Sequence, residues 1–281
     1  MNAVADTAFL AAGFRARESS RPDALFHDPL AARLAGETGR AMVEKVAHLG
    51  EAAGWSTVLR TVLIDRFIEE AVAQGTQTLI NLGAGLDTRP YRMAVPPSLA
   101  WVEVDQAPVI AHKSEVLANE TPRCRLERVP LDLLDTASRR QLLSRVSKGP
   151  SPGMVLAEGL LPYLTENDVV GLLDDLRDHE AFQGLIVDYF APEVMRARNA
   201  MPGRMRVTAA AMKFAPDDWQ GFFAAHGWKV KEMRDLAAEG DRRGRPYVIP
   251  EAMRAMLQQG KDIPQRQPPG MFAAYALMER A

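Results

Sequence analysis

Thr78-Leu79-Ile80-Asn81-Leu82-Gly83-Ala84-Gly85-Leu86-Asp87-Thr88 is the stretch that decides the fold. Five short, mostly apolar residues end at Gly-Ala-Gly, the pattern of a buried parallel strand running into a tight turn. Asp87 and Thr88, both good N-caps, then mark the start of a helix. Glycines let a ligand lie close to the backbone, and in an open α/β sheet ligands sit beyond the carboxyl ends of the strands. A Gly-x-Gly turn alone is weak evidence, because such turns also serve as plain connections.

The same alternation extends in both directions. Upstream, 7–73 reads as helices, punctuated by Arg21-Pro22-Asp23 and Asp28-Pro29. Over 55–73 the residues Val58, Leu59, Val62, Leu63, Phe67 and Ile68 fall near a helical period, with Arg60, Asp65, Arg66, Glu69 and Glu70 largely off that stripe. Downstream, strands are predicted at 100–104 (ending at Asp105), 125–129, 153–157 (ending at Glu158) and 184–189. Helices are predicted at 107–117, 137–146 and, after an N-cap at Thr165, 166–179. Strand and helix alternating five times predicts a parallel sheet covered on both faces, with right-handed crossovers and a doubly wound topology. Past Tyr189 the alternation lapses. The methionine- and arginine-rich stretch 192–214 suggests a helical lid, 219–225 a helix, 228–233 and 272–278 strands, and 260–270 a Gly/Pro-rich loop.

Composition narrows the function classes. The 281 residues are 47% hydrophobic and 25% charged, with 34 basic and 36 acidic side chains interspersed and a net charge of −2. There is no basic stripe for nucleic acid, and no run of ~18 apolar residues for a bilayer. The single cysteine, Cys124, excludes an internal disulfide framework and is read as a small half-buried residue. The expectation is a soluble, cytoplasmic protein with a small-molecule partner.

Asp105 lies 22 positions after Gly83 (105 − 83), at the end of the next strand, where an acid accepts both hydroxyls of an adenosine ribose. A dinucleotide site prefers a third glycine and a helix N-terminus aimed at a pyrophosphate. Here Thr88 holds that third position, and Asp87 sits where a diphosphate would be repelled. S-adenosylmethionine carries no phosphate, so an acid in the turn is harmless, and near a sulfonium it is favourable. The balance moves to the methyl donor, with an NAD-dependent oxidoreductase disfavoured.

Three blocks then carry a specific resemblance: Asn81-Leu-Gly-Ala-Gly-Leu-Asp-Thr-Arg-Pro-Tyr-Arg92, Val102-Glu-Val-Asp105 and Ala157-Glu-Gly-Leu-Leu-Pro-Tyr-Leu164. They resemble the signature blocks of the leucine carboxyl methyltransferase superfamily, whose bacterial branch includes polyketide-type O-methyltransferases similar to the tetracenomycin carboxyl methyltransferase. Arg15 to Pro29 is similar to that branch's N-terminal block, and Arg60-Thr61 to its helix before the first strand. The likeness runs from about Thr7 to Tyr189 and loosens beyond. It implies a class I S-adenosylmethionine-dependent methyltransferase fold: a Rossmann-like α/β sheet of seven strands, the last antiparallel, with an N-terminal helical layer. A single domain would then comprise that layer (1–75), a donor-binding core (76–190) and a lid with the substrate part (191–281). The resemblance also implies roles. Gly83 and Gly85 form the donor turn, Asp105 holds the ribose, Asp132 and Leu133 contact adenine, and Glu158 lies at the methionyl end. Arg60 and Arg15 clamp the donor's carboxylate, a task that suits a guanidinium fork. Arg17 competes with Arg15 for this role, and Asp135 with Asp132.

The implied reaction is an in-line displacement needing nucleophile and methyl ~3–3.5 Å apart, aligned and shielded from water. A carboxylate acceptor is ionised at neutral pH and needs no base, whereas a phenol usually does. The five histidines (His27, His48, His112, His179, His226) are scattered, and no spacing reads as a metal site. Carboxylate is therefore favoured over phenol as the acceptor. Tyr163 and Tyr189 are the candidate acceptor-binding residues. A protein carboxyl terminus in place of a small molecule is the rival acceptor, and a binding protein without turnover the rival class.

Overall fold

The computed structural model describes residues 3–47, 54–150, 152–200, 211–246 and 272–281. β1 (Thr78–Leu82) and β4 (Gly153–Ala157) are buried along their whole length, as expected of central strands covered on both faces. β2 (Ala100–Asp105) flanks β1, and the more polar β3 (Arg125–Pro130) forms the edge. On the other side lies β5 (Phe182–Phe190), followed by β7 (Ala273–Arg280) and β6 (Trp228–Asp235). The seven-stranded order is β3-β2-β1-β4-β5-β7-β6. β7 pairs antiparallel with both neighbours, which bears out the expected antiparallel last strand.

Period-two alternation divides the sheet's side chains between two cores. Ile80, Leu82, Val155 and Leu185 face α6 (Thr136–Val146), α7 (Glu166–Arg177) and α9 (Trp219–Ala225). Leu79, Trp101, Leu156 and Ile186 face α3 (Trp55–Ala73), which contributes Leu59, Leu63, Phe67 and Ile68. Each such fully buried side chain contributes about 1.5–3 kcal/mol of transfer free energy. α1 (Ala3–Ser19) packs on α2 (Ala31–Lys45), and both reach α5 (Ala107–Val116) through Phe9, Leu34, Val109 and Leu117.

Several boundaries differ from expectation. β5 and β7 are longer than predicted, because their antiparallel pairing from Gly184↔Glu279 to Phe190↔Ala273 satisfies backbone groups that a pattern reading leaves open. α7 ends at Arg177, with Asp178 as C-cap, two residues before the predicted end. The helix after the glycine turn, α4 (Arg89–Arg92), is a single turn. Of the predicted helical lid, α8 (Pro192–Ala200) is helical and 211–214 is not. Residues 201–210, and the predicted loop at 260–270, lie outside the described residues. A last helix, α10 (Leu236–Arg242), follows β6. No helix among the described residues is long and apolar enough to cross a membrane.

Strand order proceeds outward from β1 to β2 and β3 on one side and from β4 to β5 on the other. The carboxyl ends of β1 and β4 therefore flank the crevice where ligands bind in such sheets.

Candidate active site

The turn after β1 folds over the end of β2, with the amides of Gly83 and Ala84 both donating to the Val104 carbonyl at 2.9 and 3.0 Å. Gly83 has φ +70°, where an L side chain is strained, and a Cβ there would sit 3.3 Å from the Leu160 side chain. The turn after β4 thus lies directly against the turn after β1. Asp105 completes the arrangement: Oδ2 accepts from the Gly85 amide at 2.6 Å and Oδ1 from the Gln106 amide at 2.7 Å. Burial raises its pKa, opposed by those two amides and by Lys113. Each carboxylate oxygen keeps acceptor capacity for a hydroxyl.

At the end of β3, Asp132 is exposed and accepts from the Leu134 amide at 3.0 Å. Its competitor Asp135 is the N-cap of α6, accepting from the Ala137 and Ser138 amides, so its carboxylate has a structural task. Leu133 turns into the core, and Leu134, 53% exposed, is the apolar side chain in solvent beside Asp132.

A buried ionic network fills the other end of the site. Arg89, only 2% exposed, sends Nε to Asp65 at 2.7 Å and Nη1 to Asp87 at 2.9 Å and Glu158 at 2.7 Å. Arg92 adds a two-pronged contact to Asp65 at 2.6 and 2.8 Å. Arg60 Nε approaches Glu158 Oε1 at 2.8 Å as an ion pair, without the alignment of a hydrogen bond. Burial alone would raise the pKa of Asp87. Arg89, ahead of Lys113, Arg15 and Arg92, outweighs it and holds that carboxyl well below the usual carboxylate range. Burial is likewise outweighed at Glu158, by Arg89 and then Arg60. Removing one member of such a network strands charge in a dry environment.

The sequence places Asp87 where a diphosphate would be repelled; in the structure that charge is offset by pairing with Arg89, and the carboxylate also accepts from Asn81 Nδ2 at 2.9 Å and from the Arg89 amide at 3.0 Å. Thr88 occupies the N-cap position of α4 as expected, but its hydroxyl donates to Asp28 Oδ2 at 2.6 Å and makes no side-chain cap bond. Asp65 was placed among the polar residues off the α3 stripe, yet it is the carboxylate that holds both Arg89 and Arg92.

Arg15 and Arg60, paired in the sequence reading, stand in different settings. Arg15 is buried, with Nε on Asp28 at 2.9 Å and Nη2 on the Leu86 carbonyl at 2.6 Å, so it braces the glycine turn from behind. Its rival Arg17 is exposed and stacks over Phe14. The Arg60 side chain is one-quarter exposed, above Glu158. Tyr163, in the 3-10 turn Leu161–Tyr163 after β4, is half-buried and lies in the neighbourhood of Arg60. Tyr189 is not brought to this cluster: it lies in the opposite core, edge-on to Trp219 with centroids 5.3 Å apart.

In sequence, Arg89, Arg92, Asp65, Asp188 and Tyr275 carry no site role. Arg89 and Arg92 stood inside a quoted block, and two arginines beside Asp87 were the available signal. Nothing local marks Asp188 or Tyr275, which meet only through the β5–β7 register. Cys124 is buried, and burial pushes its thiol up to about 11, consistent with a packing residue.

The residues fit a phosphate-free adenosyl ligand. A glycine cradle that a Cβ would fill lies between carboxylates at Asp105 and Glu158, with a partly engaged guanidinium at Arg60. Comparison with known proteins agrees. The leucine carboxyl methyltransferase family model matches residues 8–177. A Streptomyces avermitilis protein is 33% identical over 257 residues, covering 87% of this chain and 89% of that protein. A Streptomyces coelicolor protein is 35% identical over 238 residues, covering 80% and 82% respectively. Both carry the name "putative S-adenosyl-L-methionine-dependent methyltransferase". Among solved structures, a Thermobifida fusca protein described as a putative methyltransferase superposes with a TM-score of 0.56 at 17% identity, covering 89% of this chain and 92% of that one; this shows the fold.

Proposed function

Because this chain belongs to the leucine carboxyl methyltransferase family, we propose that it is an S-adenosylmethionine-dependent O-methyltransferase whose acceptor is a small-molecule carboxylate. Family membership removes the nicotinamide-dinucleotide reading, which the sequence disfavours through Thr88 and Asp87. The single observation that carries the proposal is the meeting of the β1 and β4 turns. It sets Arg60 and Glu158 beside the Gly83 turn, with Asp105 at the end of the next strand.

When bound, S-adenosylmethionine supplies an electrophilic methyl carbon on a sulfonium, which leaves as a neutral thioether. The chain's own residues bind and orient. Asp105 accepts from the ribose hydroxyls while its backbone bonds fix its rotamer, and Asp132 accepts from the adenine amine, with Leu133 or the exposed Leu134 beside it. Glu158, kept ionised by Arg89 and Arg60, is suited to the donor's ammonium. Arg60 offers its remaining N–H groups to the donor's carboxylate. Arg15, already bonded to Asp28 and Leu86, acts through the turn it braces. Tyr163, near Arg60, orients the acceptor by its hydroxyl. A carboxylate acceptor arrives ionised and requires no proton transfer from the chain.

A screen of carboxylic and phenolic metabolites with methyl-labelled donor tests the proposal. The expected product is an ester that loses its label in mild base. Base-stable label would assign a phenol or other oxygen, and label taken up only by a peptide carboxyl terminus would assign a protein acceptor instead.

A further inference from the structure

Asp188, 3% exposed on β5, faces Tyr275 across the β5–β7 pair. Its oxygens both accept from the Gly159 amide, at 3.0 and 2.8 Å, and the Tyr275 hydroxyl hydrogen-bonds to the same carboxylate. Gly159 follows Glu158 directly and has φ +65°; a Cβ there would lie 3.5 Å from Arg60 Nη1. One carboxylate therefore sits behind the peptide that carries Glu158, and Arg60 sits in front of it. The charged and titratable groups facing Asp188 come from three elements: Arg60 from α3, Glu158 from the end of β4 and Tyr275 from β7.

We propose that Asp188 is a positioning residue whose ionised carboxylate, braced by Tyr275, holds the Gly159 peptide and Arg60 in the arrangement that receives the donor's methionyl end, so that protonating Asp188 weakens donor binding. This rests on the reading of Arg60 and Glu158 as methionyl-end residues. An ionised carboxylate only accepts hydrogen bonds, which suits a site where an amide and a hydroxyl both aim at it. Once protonated, one oxygen becomes a donor in that crowded place, and Arg60 keeps Glu158 as its one full counter-charge. Burial pushes Asp188 up to about 6, with Tyr275 and Arg60 pulling against it, so the switch falls within the accessible pH range.

Calorimetric titration of the full chain with S-adenosylhomocysteine between pH 5 and 7.5 tests this in wild type, Asp188→Asn, Tyr275→Phe and Arg60→Ala. Wild-type affinity should fall up to about tenfold from pH 7.5 to 5, inflecting near the Asp188 pKa. Asp188→Asn should remove that inflection. Tyr275→Phe, which deletes a hydrogen bond to the ionised form, should move it to higher pH. Contributions from Asp105 and from the ligand's own groups are common to all variants and cancel in ratios. A purely structural Asp188 would lower thermal stability without moving the inflection. A wild-type inflection retained by Asp188→Asn, or unmoved by Tyr275→Phe, overturns the inference; the second variant decides if the first does not fold. Unchanged affinity in Arg60→Ala would instead overturn the underlying donor-site reading.

Discussion

The two ends of the candidate donor site are built on different principles. At the β2–β3 end, carboxylates are held by backbone amides: Asp105 by Gly85 and Gln106, Asp132 by Leu134. At the β1–β4 end, they are held by guanidinium groups: Asp87, Asp65 and Glu158 by Arg89, with Arg92 and Arg60 alongside. An amide-held carboxylate at a strand end keeps lone pairs toward the crevice and leaves little behind when removed. A buried ion network is a single unit in which each charge is tolerated because of the others. The first kind of site can be altered with its effect read as ligand affinity; the second reports first as stability.

Three substitutions break or sharpen that contrast, from the largest expected effect to the smallest. Arg89→Ala leaves Asp87 without its guanidinium, and Asp65 and Glu158 with only Arg92 and Arg60; it should cost about 3–5 kcal/mol of folding stability, visible in urea unfolding. A loss below ~1 kcal/mol would show that water or rearrangement replaces the guanidinium. Asp105→Ala should weaken S-adenosylhomocysteine binding by about 1.5–3 kcal/mol, as expected when charged-group hydrogen bonds are lost, with an unfolding midpoint near wild type. If its stability falls as far as that of Arg89→Ala, the two ends are not distinct. Asp132→Ala, at an exposed position, should weaken the same binding by about 1 kcal/mol and leave folding unchanged. Calorimetry checks both binding effects.

Legibility in the sequence follows the same division. The strands β1, β2 and β4 were readable because a strand covered on both faces must be apolar almost throughout, and the acids at the ends of β2 and β4 stood out against that background. Asp105 acquired its role from that place and its spacing from Gly83, whereas the role of Glu158 came from the family resemblance. The α3 helix was readable by period, but the period misleads about Asp65. A residue off the apolar stripe is assigned to solvent, and only the arrival of α4 over α3 turns Asp65 inward to meet two arginines. Tyr189 shows the converse. Its place at the end of β5 suggested the crevice, but strand alternation puts its side chain in the core beneath α9, and its neighbour Asp188 takes the opposite face.

The sequence by itself determined the α/β alternation, the glycine turn with its following acid, and the family. These depend on local chemistry: backbone conformation at Gly83, the apolar content of buried strands, and motifs contiguous in the chain. Tertiary structure alone decided which charges are paired. It joined Arg15 to Asp28 and Leu86, Arg89 to Asp65 and Glu158, and Asp188 to Tyr275 across 87 positions (275 − 188) of chain. The reason is physical. A charge's partner is fixed by where the fold removes it from water, and that burial is a property of packed elements rather than of neighbouring residues.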